Sequence, residues 1–135
     1  MLLLDTDIMI DLSRQYQPAL DWLASLGDEE IALPGFVVME LIQGCRNKLE
    51  QEKIEKTLVL YSVVWPSAKT CDEARSVFAR YHLSHSLGLL DALIGETAVA
   101  LNLPLHTFNQ KHYAPISNLK IVQPYSRGAQ AKGTA

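Results

Sequence analysis

The chain has few of the features that mark secreted, membrane-spanning or strongly basic proteins. Only two of its 135 residues are cysteine, Cys45 and Cys71, and their separation matches no disulfide framework or metal-ligand spacing. No apolar run approaches the roughly 20 residues needed to cross a bilayer, and no basic segment precedes the three leucines at positions 2–4, as it would in a signal peptide. The formal net charge of −3 argues against a broad nucleic-acid-binding surface. We therefore expect a cytoplasmic protein with reduced thiols and no membrane contact.

Short apolar segments that alternate with helical patterns are the main feature of the chain. The predicted strands span residues 2–5, 31–33, 63–65, 105–107 and 120–122, and the predicted helices span about 6–14, 18–26, 35–45, 49–60, 67–81 and 89–103. Such alternation is typical of an α/β fold with a central, mainly parallel sheet of four to five short strands flanked by helices. Residues 82–88 and 108–113 are expected to be loops. We predict one domain over residues 1–125 and a disordered tail over 126–135, which has no large apolar side chain.

Three acids stand in otherwise apolar surroundings. Asp5 follows Leu2–Leu4, Glu40 lies within FVVMELI, and Asp91 lies within LGLLDALI. A single acid of this kind is usually a helix cap or a partly exposed outlier, and Asp5 suits a cap for the first helix. Three of them on separate elements suggest instead that they meet at the carboxyl edge of the sheet, where α/β proteins bind ligands.

Converging carboxylates repel one another and raise one another's pKa. A hard divalent cation with a preference for oxygen ligands, Mg²⁺ or Mn²⁺, removes that repulsion. The same cation binds phosphate and lowers the pKa of a bound water, which are the requirements of phosphodiester hydrolysis.

Four segments occur in order along the chain: LLLDTD at 2–7, PGFVVMELIQG at 34–44, GLLDALIGETA at 88–98 and LPLHTFN at 103–109. Together they resemble the PIN-domain ribonucleases, and among them the VapC-type toxins of bacterial toxin–antitoxin pairs, and the resemblance extends over residues 2 to about 123. It implies a three-layer PIN-like fold and Mg²⁺- or Mn²⁺-dependent endonucleolytic cleavage of RNA.

The resemblance also assigns roles to individual residues. Asp5, Glu40 and Asp91 fall on the family's main acidic positions, with Asp5 and Asp91 as metal ligands and Glu40 acting directly or through water. Thr6, Thr107 and Asn109 fall on supporting positions that orient the carboxylates. The implied partners are an RNA substrate, a cognate antitoxin whose segment covers the pocket, and a second copy of the chain in a homodimer.

The chain departs from the family pattern at the far end of the expected pocket. Asn109 stands where many members have a fourth acid, and His112 stands where an Asp follows in some relatives that have Asn. Because an amide brings no charge, we expect one tightly held ion rather than two. Asp7, where many relatives have Asn or Ser, is expected to add an acid outside the metal ligands.

Two other functions fit part of the pattern. Asp5 and Asp7 after an apolar strand also suit a haloacid-dehalogenase-type phosphatase, although Met9 and the absence of a cap insertion disfavour it. A PIN-like interaction module that has lost cleavage is the non-enzyme alternative, and Asn109 is its only support. Glu96 is expected near the pocket rim, and Asp11 is expected to face solvent or end the first helix.

Overall fold

The computed structural model describes residues 1–128 as a sheet of five short strands flanked by helices. The strands are β1 (Leu2–Leu4), β2 (Ile31–Pro34), β3 (Ser62–Val64), β4 (Leu105–His106) and β5 (Ile121–Val122). The helices are α1 (Thr6–Ser13), α2 (Gln17–Ser25), α3 (Gly35–Gln43), α4 (Lys48–Leu58), α5 (Ala68–His85), α6 (Leu89–Leu101) and α7 (Gln110–Tyr113). The predicted α/β class is confirmed.

All four strand pairings are parallel, and the spatial order is β3-β2-β1-β4-β5. β1 is central, with Leu3 opposite Ala32 on one side and Leu105 on the other. Its three leucines are buried, as expected of a parallel strand covered on both faces. The chain runs from β1 through β2 to β3 on one side and returns through β4 to β5 on the other, so the switch point lies between β1 and β4.

The switch point determines which residues meet. Asp5 directly follows β1, Gly35 begins α3 directly after β2, and Thr107 directly follows β4. Parallel strands end at the same edge of a sheet, so the residues after them lie together although they are distant in sequence.

The predicted element bounds agree with the structure to within a few residues, with two exceptions. Residues 82–85 were expected to be loop, but α5 continues to His85 and ends where Ser86 takes a left-handed φ of 55°. Aromatic pairs one turn apart line this last part of the helix: Phe78 stacks on His82 at 4.8 Å, and Tyr81 meets His85 edge-on at 5.2 Å. The second exception is the loop expected at 108–113, which contains the short helix α7.

The expected tail falls largely outside the described residues, since the structure describes only 126–128 of it. Of these three residues, Arg127 forms an ion pair with Asp11, and the Gly128 N–H donates to the Tyr16 hydroxyl. Within residues 1–128, no helix is both long enough and apolar enough to cross a membrane.

Gly35 begins α3 in close contact with the ring of Trp65. A Cβ at position 35 would overlap the Trp65 indole, whereas a Cβ at Gly44 would meet only backbone oxygens, the nearest at 3.5 Å. We expect Gly35→Ala to lower the free energy of unfolding by about 1–3 kcal/mol through overpacking, and Gly44→Ala to change it little. Urea unfolding of both variants measures this. In a Trp65→Ala background the cost of Gly35→Ala should largely vanish; an unchanged cost would contradict the assignment to the indole.

Candidate active site

The carboxyl group of Asp5 is the most buried acid at this edge, with the residue only 3% exposed. Asp5 is also the N-cap of α1, because its Oδ1 accepts a hydrogen bond from the Thr6 backbone N–H at 2.8 Å. Its Oδ2 accepts two more, from Thr107 Oγ1 at 2.8 Å and from the Tyr113 hydroxyl at 2.9 Å. Both oxygens are therefore held in fixed directions.

Burial makes the charge on Asp5 unfavourable. It raises the pKa of the Asp5 carboxyl to about 7, with a further contribution from the nearby Asp7, while the hydrogen bonds from Thr107, Thr6 and Tyr113 oppose the rise. Three donors are thus insufficient to offset desolvation, and a cation at this position would stabilise the ionised form.

Asp7 contributes a second carboxylate to the same edge. Its Oδ1 accepts from the Ile8 N–H at 2.8 Å. Its Oδ2 accepts from the Phe108 N–H at 2.8 Å and lies 3.3 Å from Thr107 Oγ1, whose single proton has the nearer Asp5 Oδ2 as acceptor, so Thr107 lies between the two acids. Burial raises the pKa of Asp7, and the positive charge of Arg127 is among the influences that oppose this.

Glu40 reaches the site from α3. Its Oε1 accepts a hydrogen bond from Thr6 Oγ1 at 2.7 Å. Thr6 also gives its backbone N–H to Asp5, so it connects the second predicted acid to the first.

Asp91 lies in the first turn of α6, where its Oδ2 accepts from the Gly88 N–H at 3.0 Å. The ring nitrogen Nδ1 of His112 stands 3.9 Å from the same oxygen, so the two form an ion pair only when the imidazole is protonated. Burial raises the pKa of Tyr113 most, and the charges of Asp5 and then Asp91 add to it. Tyr113 therefore lies within the electrostatic reach of both acids.

Four of the six predicted site residues belong to one hydrogen-bonded network at this edge of the sheet: Asp5, Thr6, Glu40 and Thr107. The fifth, Asp91, forms no hydrogen bond to this network within the described residues, but its charge contributes to the raised pKa of Tyr113, which donates to Asp5. The sixth, Asn109, is exposed, and its contact is through the backbone, whose N–H donates to Thr107 Oγ1 at 3.0 Å. A supporting role for the Asn109 amide stays a prediction.

Sequence reasoning missed Tyr113. Tyr113 stood in a segment expected to be loop, and nothing in its spacing indicated a hydroxyl directed at a residue 108 positions away. Asp7 was expected to add an acid outside the metal ligands, and this stays a prediction. The structure places its carboxylate next to Thr107, the residue that donates to Asp5.

The donor set suits a hard divalent cation in its chemistry, because it consists of carboxylate oxygens around a buried acid. The second oxygens of Glu40 and Asp91 form no hydrogen bond within the described chain. No three His, Cys, Asp or Glu side chains among residues 1–128 form a ready-made metal cluster, however. The acids would have to draw together around an ion.

Two other acids considered in the sequence, Asp11 and Glu96, lie outside this hydrogen-bonded network. Asp11 neither faces solvent nor ends α1; it accepts hydrogen bonds from Tyr125 and Arg127. Glu96 is only 8% exposed, and it lines a separate cavity of about 290 Å³ with Glu73 and Arg80. Its Oε2 is buried without a hydrogen-bond partner in the described residues.

The fold and the site together define an α/β protein with an acidic pocket at the switch point of a parallel sheet. The model of the PIN domain family matches residues 2–115, and the chain belongs to that family. The resemblance found in the sequence is therefore confirmed. A haloacid-dehalogenase assignment gains no support, because the family model that matches the chain is that of the PIN domain.

Similar proteins share both sequence and fold with the chain. Ribonuclease VapC10 of Mycobacterium tuberculosis is 33% identical over 122 residues, covering 89% of this chain and 91% of the relative. Ribonuclease VapC19 of the same organism is 34% identical over 126 residues, covering 89% and 98%. A toxin–antitoxin complex from Klebsiella pneumoniae superimposes with a TM-score of 0.75 at 25% identity, covering 94% of this chain and all of that one.

Glu96 makes folding stability depend on pH. Burial, and then the charge of Glu73, raise the pKa of Glu96 in the folded protein above its unfolded value of about 4.3. The folded state therefore holds its proton more tightly, and stability falls as pH rises through the folded pKa. We expect Glu96→Gln to raise the melting temperature by a few degrees at pH 8, with the gain shrinking as pH approaches 4. Thermal unfolding against pH, with the exposed Glu55→Gln as control, tests this; an equal gain at all pH values would contradict it.

Proposed function

We propose that the chain is a metal-dependent RNA endonuclease that acts as the toxin of a toxin–antitoxin pair. The observation that carries the proposal is the buried Asp5 carboxylate, whose pKa is raised to about 7 beside Asp7, at the edge where Glu40 and Asp91 also lie. Membership of the PIN family and two relatives named as ribonucleases support it.

Asp5 and Asp91 would hold a Mg²⁺ ion, with Mn²⁺ able to replace it and Glu40 acting through a water molecule. When bound, such a cation supplies positive charge for a phosphate oxygen and lowers the pKa of a water molecule. Asp7 stands close enough to Asp5 to raise its pKa, so it adds negative charge that favours cation binding.

The chain's own groups orient the acids, and their hydrogen bonds to Asp5 oppose the rise of its pKa. Thr6 holds Asp5 through its N–H and Glu40 through its hydroxyl, while Thr107 and Tyr113 donate to the opposite oxygen of Asp5. Donors of this kind outside the ligands set ligand direction and affinity. Attack by water on the scissile phosphate leaves a 5′-phosphate and a 3′-hydroxyl, and it requires no 2′-hydroxyl nucleophile.

The substitution Asp5→Asn keeps the shape of the side chain and removes its charge. We expect kcat/KM for a single-stranded RNA to fall about a hundredfold or more, because several kcal/mol of charge stabilisation are lost. Asn109→Ala should change it only a few-fold, since that side chain is exposed. Cleavage of labelled RNA is measured in Mg²⁺ and, as a metal-free control, in EDTA. The ends of the products are then analysed.

A thermal scan serves as the control for folding, because Asp5→Asn removes a buried charge and should leave the domain folded. Equal cleavage by wild type and Asp5→Asn would overturn the acidic-site model. A 2′,3′-cyclic phosphate product would exclude attack by water. No cleavage by the wild type in any metal would favour the alternative, a PIN-like interaction module.

The antitoxin would occupy a groove bounded by α1, α2, α3 and α4. The groove encloses about 740 Å³ and is lined by apolar side chains such as Leu20, Leu23 and Ile54. Arg14 and Lys53 add positive charge to the lining, whereas Arg46 is paired there with Glu50. Glu40 also lines it, so a peptide seated there would reach the acidic site. An amphipathic segment with acidic flanks suits this lining.

Ile54→Glu tests the groove. Placing a charge in its apolar lining should weaken inhibition by the cognate antitoxin at least tenfold while leaving RNA cleavage unchanged. Val59→Glu is the matched control, because Val59 is 80% exposed and lies outside the groove. Titration of antitoxin into a cleavage assay gives the measurement; equal inhibition of both variants and wild type would place the antitoxin elsewhere. We also propose that the chain forms a homodimer and acts in the cytoplasm.

A further inference from the structure

The segment Tyr125–Gly128, here called the strap, follows β5 and crosses α1. Three of its donors converge on one oxygen of Asp11: the Tyr125 hydroxyl at 2.8 Å, and Arg127 Nε and Nη2, each at 3.1 Å. The Gly128 N–H reaches the Tyr16 hydroxyl at 3.4 Å. The strap is thereby bound to Asp11 of α1 and to Tyr16, the residue that precedes α2, across more than 110 positions of sequence.

The strap also covers the loop that follows β4. The Arg127 guanidinium lies 4.1 Å from the centre of the Phe108 ring, a cation–π distance. The Tyr125 ring meets Phe108 edge-on at 5.0 Å. Phe108 is thus contacted by two side chains, Arg127 and Tyr125, of the segment that is anchored to Asp11.

The backbone around Phe108 is part of the acidic site. The Phe108 N–H donates to Asp7 Oδ2, and the Asn109 N–H donates to Thr107 Oγ1. Thr107 Oγ1 in turn donates to Asp5 Oδ2. A shift of this loop would change the direction of donors at both acids.

The Asp11–Arg127 pair differs from the other ion pairs of the surface. The Asp11 side chain is 14% exposed and that of Arg127 35%, whereas in the Arg75–Asp72 pair both are 79% exposed and 4.0 Å apart. Exposed pairs contribute little. A partly buried carboxylate with three convergent donors restricts its partners more strongly.

We propose that the strap is a latch for the active site and that Arg127 is a positioning residue: through Asp11 and Phe108 it holds residues 107–109 so that their donors stay on Asp5 and Asp7. The family model matches residues 2–115, so the latch lies beyond the matched region. Only the cleavage readout below rests on the proposed function.

The first test does not depend on RNA cleavage. Amide hydrogen exchange is measured by NMR in wild type, Arg127→Gln and Arg127→Lys, with Arg75→Gln as the matched control. We expect the Phe108 and Asn109 amides to exchange about tenfold faster in Arg127→Gln, with Leu3 in the central strand unchanged. Arg127→Lys keeps the charge over Phe108 but loses the two-pronged contact, so it should be intermediate. Unchanged Phe108 exchange, or equal acceleration of Leu3, would overturn the latch.

The second test uses cleavage. Arg127→Gln should lower kcat about tenfold with KM within twofold of wild type, since geometry at the acids changes and RNA contact does not. Asp11→Asn should have a similar effect, and the double variant should be no worse than either single one, because both break the same contact. A rise in KM alone would show Arg127 to be an RNA contact and contradict the latch. If wild type cleaves nothing, the proposed function fails while the exchange test still decides on the latch.

Discussion

The burial of one carboxylate, that of Asp5, is the constraint on which the rest of the site depends. A charge at 3% exposure is costly unless it is hydrogen-bonded and electrostatically compensated. The chain supplies hydrogen bonds from three places: the start of α1, the end of β4, and α7. Those donors reduce the cost without removing it, since the pKa of Asp5 stays near 7. Either a proton on Asp5 or a neighbouring cation would relieve the remaining cost of burying this charge.

Sheet topology explains how such distant groups come together. β1 is the central strand, and the chain leaves it on one side and returns on the other. The residues that follow β1 and β4 therefore meet at one edge, while α3, which follows β2, brings Glu40 to Thr6. Asp91 differs, because it uses one oxygen to cap its own helix and is fixed by local backbone geometry. Asp91 is thus held by a hydrogen bond within its own helix, whereas Asp5 and Glu40 are held by hydrogen bonds between distant segments.

The sequence indicated site residues where a charged side chain interrupts an apolar run. Asp5, Glu40 and Asp91 stood out because an acid in an apolar run requires a reason, and Thr107 was indicated only by the family resemblance. Tyr113 and Arg127 were not predictable, because their partners lie more than 100 positions away and aromatic or basic side chains are common in loops. The continuation of α5 to His85 was missed because histidine and serine suggest a loop, whereas contacts one turn apart preserve the helix.

Glu40 has a place in two environments at once. It accepts a hydrogen bond within the acidic network, and it lines the groove between the first four helices. Two ligands that both depend on one side chain are thermodynamically coupled, and the coupling is reciprocal. If a peptide in the groove engaged Glu40 and thereby changed the affinity of the acids for a cation, a bound cation would change the affinity for that peptide by the same factor. Binding of a peptide in the groove would then depend on whether the acids hold a cation.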